Sequence, residues 1–242
     1  MSKRILLGML TPSSNTALEP LTSAMVAGLP GVSAHFSRFT VTEISLKDRA
    51  LGQFDDSKII EAAKLLADAK VDVIGWNGTS SGWLGFEADR RLCERITEAT
   101  GVPATTSVLA LNEILEKTGA KRFGLATPYL DDVQEKIVSN YASEGFQCVA
   151  ERHLGLHVNF SFSEVTEDQI RGMVRDVARE RPEAISTFCT NLKAAHLVPE
   201  LERETGIPIY DTIATVVWKS LRMAGFDTTQ VKGWGRLFQE VA

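Results

Sequence analysis

Four short stretches of this sequence place hydroxyl, amide, phenol or thiol groups where a small acid could be held and a proton moved. The first is Thr11-Pro12-Ser13-Ser14-Asn15-Thr16. Its hydroxyls, amide and backbone N–H groups precede a helix expected to begin near Ala17, and such donors with the helix dipole form an anion site. N-capping alone is the plainer use of the same residues. The second is Asn77-Gly78-Thr79-Ser80-Ser81-Gly82, followed by Trp83-Leu84-Gly85-Phe86. Glycine lets the backbone approach a ligand, and the Thr79 and Ser80 hydroxyls can donate to a carboxylate or a developing enolate. A flexible turn plugged by aromatic rings is the alternative. The stretch is not a phosphate loop, because neither a Walker-type nor a dinucleotide-type glycine pattern occurs.

The third, Thr127-Pro128-Tyr129-Leu130-Asp131-Asp132, carries a phenol at a strand-to-helix turn. Its hydroxyl either donates into a cleft or finds a partner in the core. The fourth is Phe188-Cys189-Thr190-Asn191. A thiol at a strand tip, beside a helix start expected near Asn191, sits where its pKa can be lowered.

The other titratable candidates carry less. Three cysteines form neither a disulfide framework nor a Cys-x-x-Cys pair. Cys93 falls within a helical stretch and Cys148 within a strand, where a lone thiol is a small apolar residue. His35, His153, His157 and His196 could supply an acid or base, but none stands at a recognisable triad spacing from Cys189. Of the segment His157-Val158-Asn159, Asn159 is the better carboxylate donor. No cluster has metal-ligand spacing, so no metal is expected.

These groups must be positioned by the elements between them. Short apolar runs are expected as strands at Ile5–Leu10, Ser33–Thr40, Val71–Trp76, Ala104–Ser107, Arg122–Ala126, Gln147–Glu151, Ala184–Phe188 and Ile207–Tyr210. They alternate with helical patterns, which predicts α/β architecture with parallel sheets. Asp55-Asp56 opens a helix over Ser57–Ala69. Thr166 with Gln169 forms a capping box for a helix to about Arg179, and Asp132 with Glu135 resembles another.

The series runs twice. Thr-Pro follows the first and fifth strands, Gly78-Thr79 and Cys189-Thr190 end the third and seventh, and Gly-Val-Pro or Gly-Ile-Pro precedes the fourth and eighth. Two pseudo-symmetric, Rossmann-like halves are expected, 1–115 and 116–242, with a C-terminal helix over 218–242 packing back on the first. Ligands in such folds bind beyond the carboxyl ends of the strands, where all four polar turns sit.

Composition narrows the partners. The 242 residues are 44% hydrophobic and 24% charged with a formal net charge of −5, the balance of an ordinary globular chain. No basic tract tracks a phosphate backbone, so nucleic acid is not expected as a partner. No apolar run approaches the roughly 20 residues that span a bilayer, so a soluble, cytoplasmic protein is expected. Assembly into a homo-oligomer is left open.

The ordered set of turns, with the C-terminal Gly233-Trp234-Gly235-Arg236-Leu237-Phe238, resembles the aspartate/glutamate racemase superfamily over the whole chain. The similarity is to its branch of arylmalonate decarboxylases and maleate cis-trans isomerases. Two-thiol racemases of this superfamily carry one cysteine on each half. Here the positions matching that catalytic pair are Cys189 and Gly78, and glycine has no side chain to move a proton. Maleate isomerases use the first-half cysteine as nucleophile, whereas arylmalonate decarboxylases have glycine there. The resemblance therefore implies a cofactor-independent decarboxylase of disubstituted malonates, with an enediolate protonated by Cys189.

By the same resemblance Thr79, Ser80, Tyr129 and Thr190 grip one carboxylate, with Pro12 and Asn191 part of the matching motifs. Asn15 and Asn159 match the isomerase pattern, in which such amides hold a second small carboxylate. Asn77 makes the pocket wetter, while Trp76, Trp83 or Phe86 would supply apolar walls. An isomerase-like or racemase-like enzyme acting on a small dicarboxylate is the alternative, and a non-catalytic dicarboxylate-binding protein the further one.

Overall fold

The computed structural model describes residues 4–47 and 56–241. Its strands are β1 (Ile5–Pro12), β2 (Val32–Phe39), β3 (Val73–Trp76), β4 (Ala104–Thr106), β5 (Arg122–Thr127), β6 (Gln147–His153), β7 (Ala184–Thr187) and β8 (Ile209–Asp211). Each matches an expected strand, with ends shifted by a few residues at most. They form two four-stranded parallel sheets of the same order, β2-β1-β3-β4 and β6-β5-β7-β8. The doubled sequence series is this doubled sheet. β3 and β7 are buried along their whole length, as parallel strands covered on both faces must be.

The helices of the first half are α1 (Leu18–Val26), α2 (Asp56–Asp68), α3 (Ser81–Leu84), α4 (Phe86–Thr100) and α5 (Ser107–Thr118). Those of the second are α6 (Asp131–Ser143), α7 (Asn159–Phe162), α8 (Glu167–Ala178), α9 (Val198–Thr205), α10 (Thr212–Met223) and α11 (Leu237–Glu240). None is long and apolar enough to cross a membrane. α2 occupies its expected place, although Asp55 of its expected start lies outside the described residues. α8 opens with the expected box, in which Thr166 and Gln169 satisfy each other's backbone N–H groups.

Three expectations are corrected. The Asp132–Glu135 box does not form, because α6 begins at Asp131 and Asp132 already lies in the first turn, where its carboxylate accepts from the Val133 N–H. No helix starts near Asn191: helical residues resume only at Ala195, since the Asn191 amide is taken up by partners in both halves. Nor is 218–242 one helix. α10 ends at Met223, and Gly225, Gly233 and Gly235 adopt left-handed backbone before α11. The chain end is held instead by the Trp218 indole N–H donating to the Val241 carbonyl at 3.1 Å. Residue 115 falls inside α5, and the strand of the second sheet starts after Gly119, which ends that helix in the left-handed region.

α10 and α5 follow the last strands of their sheets and pack on each other, and α10 also lies on β3. Thr106 caps α5 and Asp211 caps α10, and the Thr215 hydroxyl donates to the Ser107 carbonyl at 2.8 Å across the pair. Close approach of α10 to β3 needs glycine at position 75, where a Cβ would stand 2.8 Å from Val216 Cγ2 and 3.2 Å from Ser220 Oγ. Gly75→Ala is therefore expected to lose about 1–3 kcal/mol of stability by overpacking. Thermal or urea unfolding checks this, and a variant as stable as the wild type would contradict it.

Candidate active site

The carboxyl ends of β1, β3, β5 and β7 meet where the two halves face each other, and each contributes its polar turn. Pro12, Gly78, Thr79 and Ser80 come from the first half; Tyr129, Cys189 and Thr190 come from the second, with Asn159 from the start of α7. Trp76 and Trp83 form apolar wall, and Val41 and Ile44 from the segment after β2 cover it. The space between them is about 20 Å³, little more than one water requires. Its roof is held by main-chain contacts between the halves: Ile44 N–H to the His157 carbonyl at 2.8 Å, Asn159 N–H to the Thr42 carbonyl at 2.9 Å, and an antiparallel bridge of Glu43 with Val158. A larger depression of about 650 Å³, lined by Lys117, Tyr210 and Arg236, lies toward the amino ends of the strands. Ligands of such sheets are taken at the other end.

Polar groups from the two halves interlock around the small cavity. Thr79 Oγ1 and Tyr129 Oη are 2.6 Å apart, and the Thr190 hydroxyl donates to the Asn77 carbonyl at 3.0 Å. The backbone N–H groups of Thr79, Ser80, Cys189 and Thr190 have no acceptor among the described residues. They lie at the same strand ends, where donors could meet an incoming oxyanion.

The Cys189 thiol is fully buried and its pKa is pushed up to about 11 by that burial, against hydrogen bonds from Tyr129 and from the Asn191 and Leu192 N–H groups that favour the thiolate. This overturns the expected lowering: with no helix start beside it, desolvation wins. Cys189 is thus a neutral thiol at physiological pH. Burial also pushes Cys93 to about 12 and Cys148 to about 11, so location on the cavity, not acidity, distinguishes Cys189. Tyr129 is held well above its ordinary value, first by burial and then by Cys189; it too is protonated.

The amides behave differently from expectation. Asn15 uses its Oδ1 to accept from the Ala17 and Leu18 N–H groups and its Nδ2 to donate to the Thr190 carbonyl at 3.0 Å. Asn191 Oδ1 accepts from the Thr16 and Ala17 N–H groups, and its Nδ2 donates to the Asn159 carbonyl at 2.6 Å. The start of α1 is thereby capped from within and from the other half, and is no free anion site. Capping, the plainer expectation, describes this loop. Asn159 alone of these amides lines the cavity, with Nδ2 donating to Ser14 Oγ. Asn77 is turned away toward the Leu10 and Gly75 carbonyls, so it does not wet the pocket. Phe86 packs on Tyr141, not on the cavity.

None of the histidines lines the space. His157 is exposed and supplies its carbonyl, while His153 is held between Glu151 and Asp131. No cluster able to hold a metal occurs among the described residues. The covering residues Val41 and Ile44 were missed in sequence. The available signal was two apolar residues continuing past the end of an edge strand.

Two buried carboxyls brace the floor. Asp89 accepts from the Ser81 hydroxyl at 2.7 Å and the Thr106 hydroxyl at 2.5 Å. Asp211 accepts from the Thr187 hydroxyl at 2.7 Å and from the Ile213 and Ala214 N–H groups.

Two parallel sheets of identical order, facing each other across paired turns with a cysteine on one of them, define a protein of the aspartate/glutamate racemase-like superfamily. Residues 7–238 match the model of the arylmalonate decarboxylase family, and the chain belongs to that family. It is 29% identical to arylmalonate decarboxylase of Bordetella bronchiseptica over 185 residues, covering 75% of this chain and 77% of that one. Maleate isomerase of Pseudomonas putida is 25% identical over 234 residues, 92% of each chain. In fold, the crystal structure of the maleate isomerase Iso from Pseudomonas putida S16 superposes with a TM-score of 0.91, at 23% identity, over 99% of this chain and 100% of that one. The named relatives are thus enzymes of two kinds, a decarboxylase and isomerases.

Burial raises the Asp89 and Asp211 carboxyls from 3.8 to about 6. The folded state then keeps protons that the unfolded chain has released, so their contribution is fully present below 3.8 and lost as pH rises through about 6. Asp89→Asn is expected to flatten part of that decline. Urea denaturation across this window checks it, and an unchanged slope would refute the assignment.

Proposed function

We propose that this chain is a cofactor-independent decarboxylase of disubstituted malonates, with Cys189 as the proton donor. The observation that carries the reading is the asymmetry of the cavity: a buried, neutral thiol on the second half stands with Gly78, which has no acid to offer, on the first. Thr79, Ser80, Tyr129 and the free N–H groups near Thr79 and Cys189 bind one carboxylate. The other faces the largely apolar wall of Val41, Ile44, Trp76 and Trp83, where it loses its hydration.

Cleavage of the carbon–carbon bond releases carbon dioxide and leaves its electron pair in an enediolate. The donors around the retained carboxylate meet more charge in that state than in the substrate, so they stabilise the transition state preferentially. Cys189 Sγ–H then gives its proton to the α-carbon. The thiolate that remains accepts hydrogen bonds from Tyr129 and from the Asn191 N–H, and it regains a proton from solvent. A neutral resting thiol suits a general acid, and a single donor protonates one face.

A second reading is an isomerase-like or racemase-like enzyme acting on a small dicarboxylate, favoured by Asn159 on the cavity. Its difficulty is the missing first-half thiol.

Carbon dioxide release from aryl- and alkylmalonates tests the first reading. Cys189→Ala is expected to lose about 10²–10⁴-fold in rate, the usual worth of a positioned acid. Silence of the wild type, or equal rate and enantiomeric excess in the variant, would defeat it; fumarate from maleate would support the second.

A further inference from the structure

We propose that Trp76 sets the specificity of this cleft, because its indole stands in the place of the side chain that residue 78 lacks. This rests on the decarboxylase reading for the reaction, but its steric part concerns any ligand of the cavity. A Cβ built at Gly78 overlaps Trp76 Cζ2 and Cε2 and comes within 2.7 Å of Cη2. The backbone at Gly78 does not require glycine, since its φ is not positive; the ring does. Trp76 is 1% exposed, packs on Phe39 with ring centroids 4.9 Å apart, and lines the cavity with Cys189 and Thr79. Buried and packed on Phe39, it cannot turn away as the end of a flexible chain would.

Two consequences follow. The first-half face of a bound substrate meets a ring edge in place of an acid, so a thiol at position 78 has no room while the indole is present. That edge also carries Nε1, bonded to Cε2, whose N–H is buried and has no hydrogen-bond partner among the described residues. An unpartnered buried donor costs free energy in the empty protein, and a carboxylate oxygen entering the cavity would satisfy it. Trp76 thus favours a compact dicarboxylate with a small group on the first-half side.

The test compares wild type, Trp76→Leu, Trp76→Phe, Gly78→Cys and the Trp76→Leu/Gly78→Cys double variant. Half-saturating concentrations of malonate, methylmalonate and phenylmalonate are read by thermal shift. Wild type is expected to prefer methylmalonate to phenylmalonate, and Trp76→Leu to change that ratio by about tenfold or more toward the larger ligand. Trp76→Phe, which keeps a ring and loses the N–H, should weaken malonate binding several-fold. Deuterium exchange at the α-carbon of a 2-arylpropionate should appear in the double variant and not in Gly78→Cys alone.

An unchanged ligand ranking in Trp76→Leu overturns the proposal, as does exchange in Gly78→Cys as fast as in the double variant. If the double variant does not fold, the ranking in Trp76→Leu decides. Failure of the wild type to release carbon dioxide defeats the decarboxylase reading instead, and leaves the ligand ranking to judge Trp76.

Discussion

The structure depends on a set of buried hydrogen bonds that tie one half to the other at the carboxyl ends of their strands. Asn15 reaches Thr190, Asn191 reaches the start of α1, Thr190 reaches Asn77, and Thr79 meets Tyr129. Each group is buried, so leaving any one without its partner would cost about 1–3 kcal/mol. This requirement makes the halves interdependent: neither satisfies its own turns, and the cavity exists only where the turns of both are engaged. The apolar core is likewise one cluster running through both sheets, and α10, the last long helix of the second half, lies on β3 of the first.

Burial also governs the proton states. The forces that close the cavity, by excluding water, drive Cys189 and Tyr129 toward their neutral forms. A nucleophilic thiolate would need a cation or a helix start beside it, and neither is present at this strand tip. What surrounds the sulfur are donors, Tyr129 and two backbone N–H groups, which steady a thiolate once it has formed but do not outweigh desolvation beforehand. Such a setting is one in which a thiol can give up a proton and the resulting thiolate be held.

The strands and their doubling were legible in the sequence because parallel strands buried on both faces leave apolar runs such as Val73–Trp76, and because turn markers recur in the same order. Cavity residues at strand ends, Thr79, Tyr129, Cys189 and Thr190, were legible for the same reason: topology places those ends together. The amides were not. Whether Asn15 faces a ligand or caps a helix is decided by Thr190 and Asn191, which are distant in sequence, and nothing local distinguishes the two uses. Asn77 shows the same limit, since only the fold reveals that its side chain turns under β1. The acidity of Cys189 was misjudged because it follows from total burial, a property of the assembled halves and not of the turn. Val41 and Ile44 were missed because they follow an edge strand whose own pattern is only half-buried.

The roof over the cavity has a kinetic meaning. The chamber is small, about 20 Å³, and the segment carrying Val41 and Ile44 that covers it is joined to residues 157–159 by main-chain bonds. Any movement of that segment away from the cavity would break the Ile44–His157 and Asn159–Thr42 contacts. Opening at this edge is thereby coupled to the tie between the two halves.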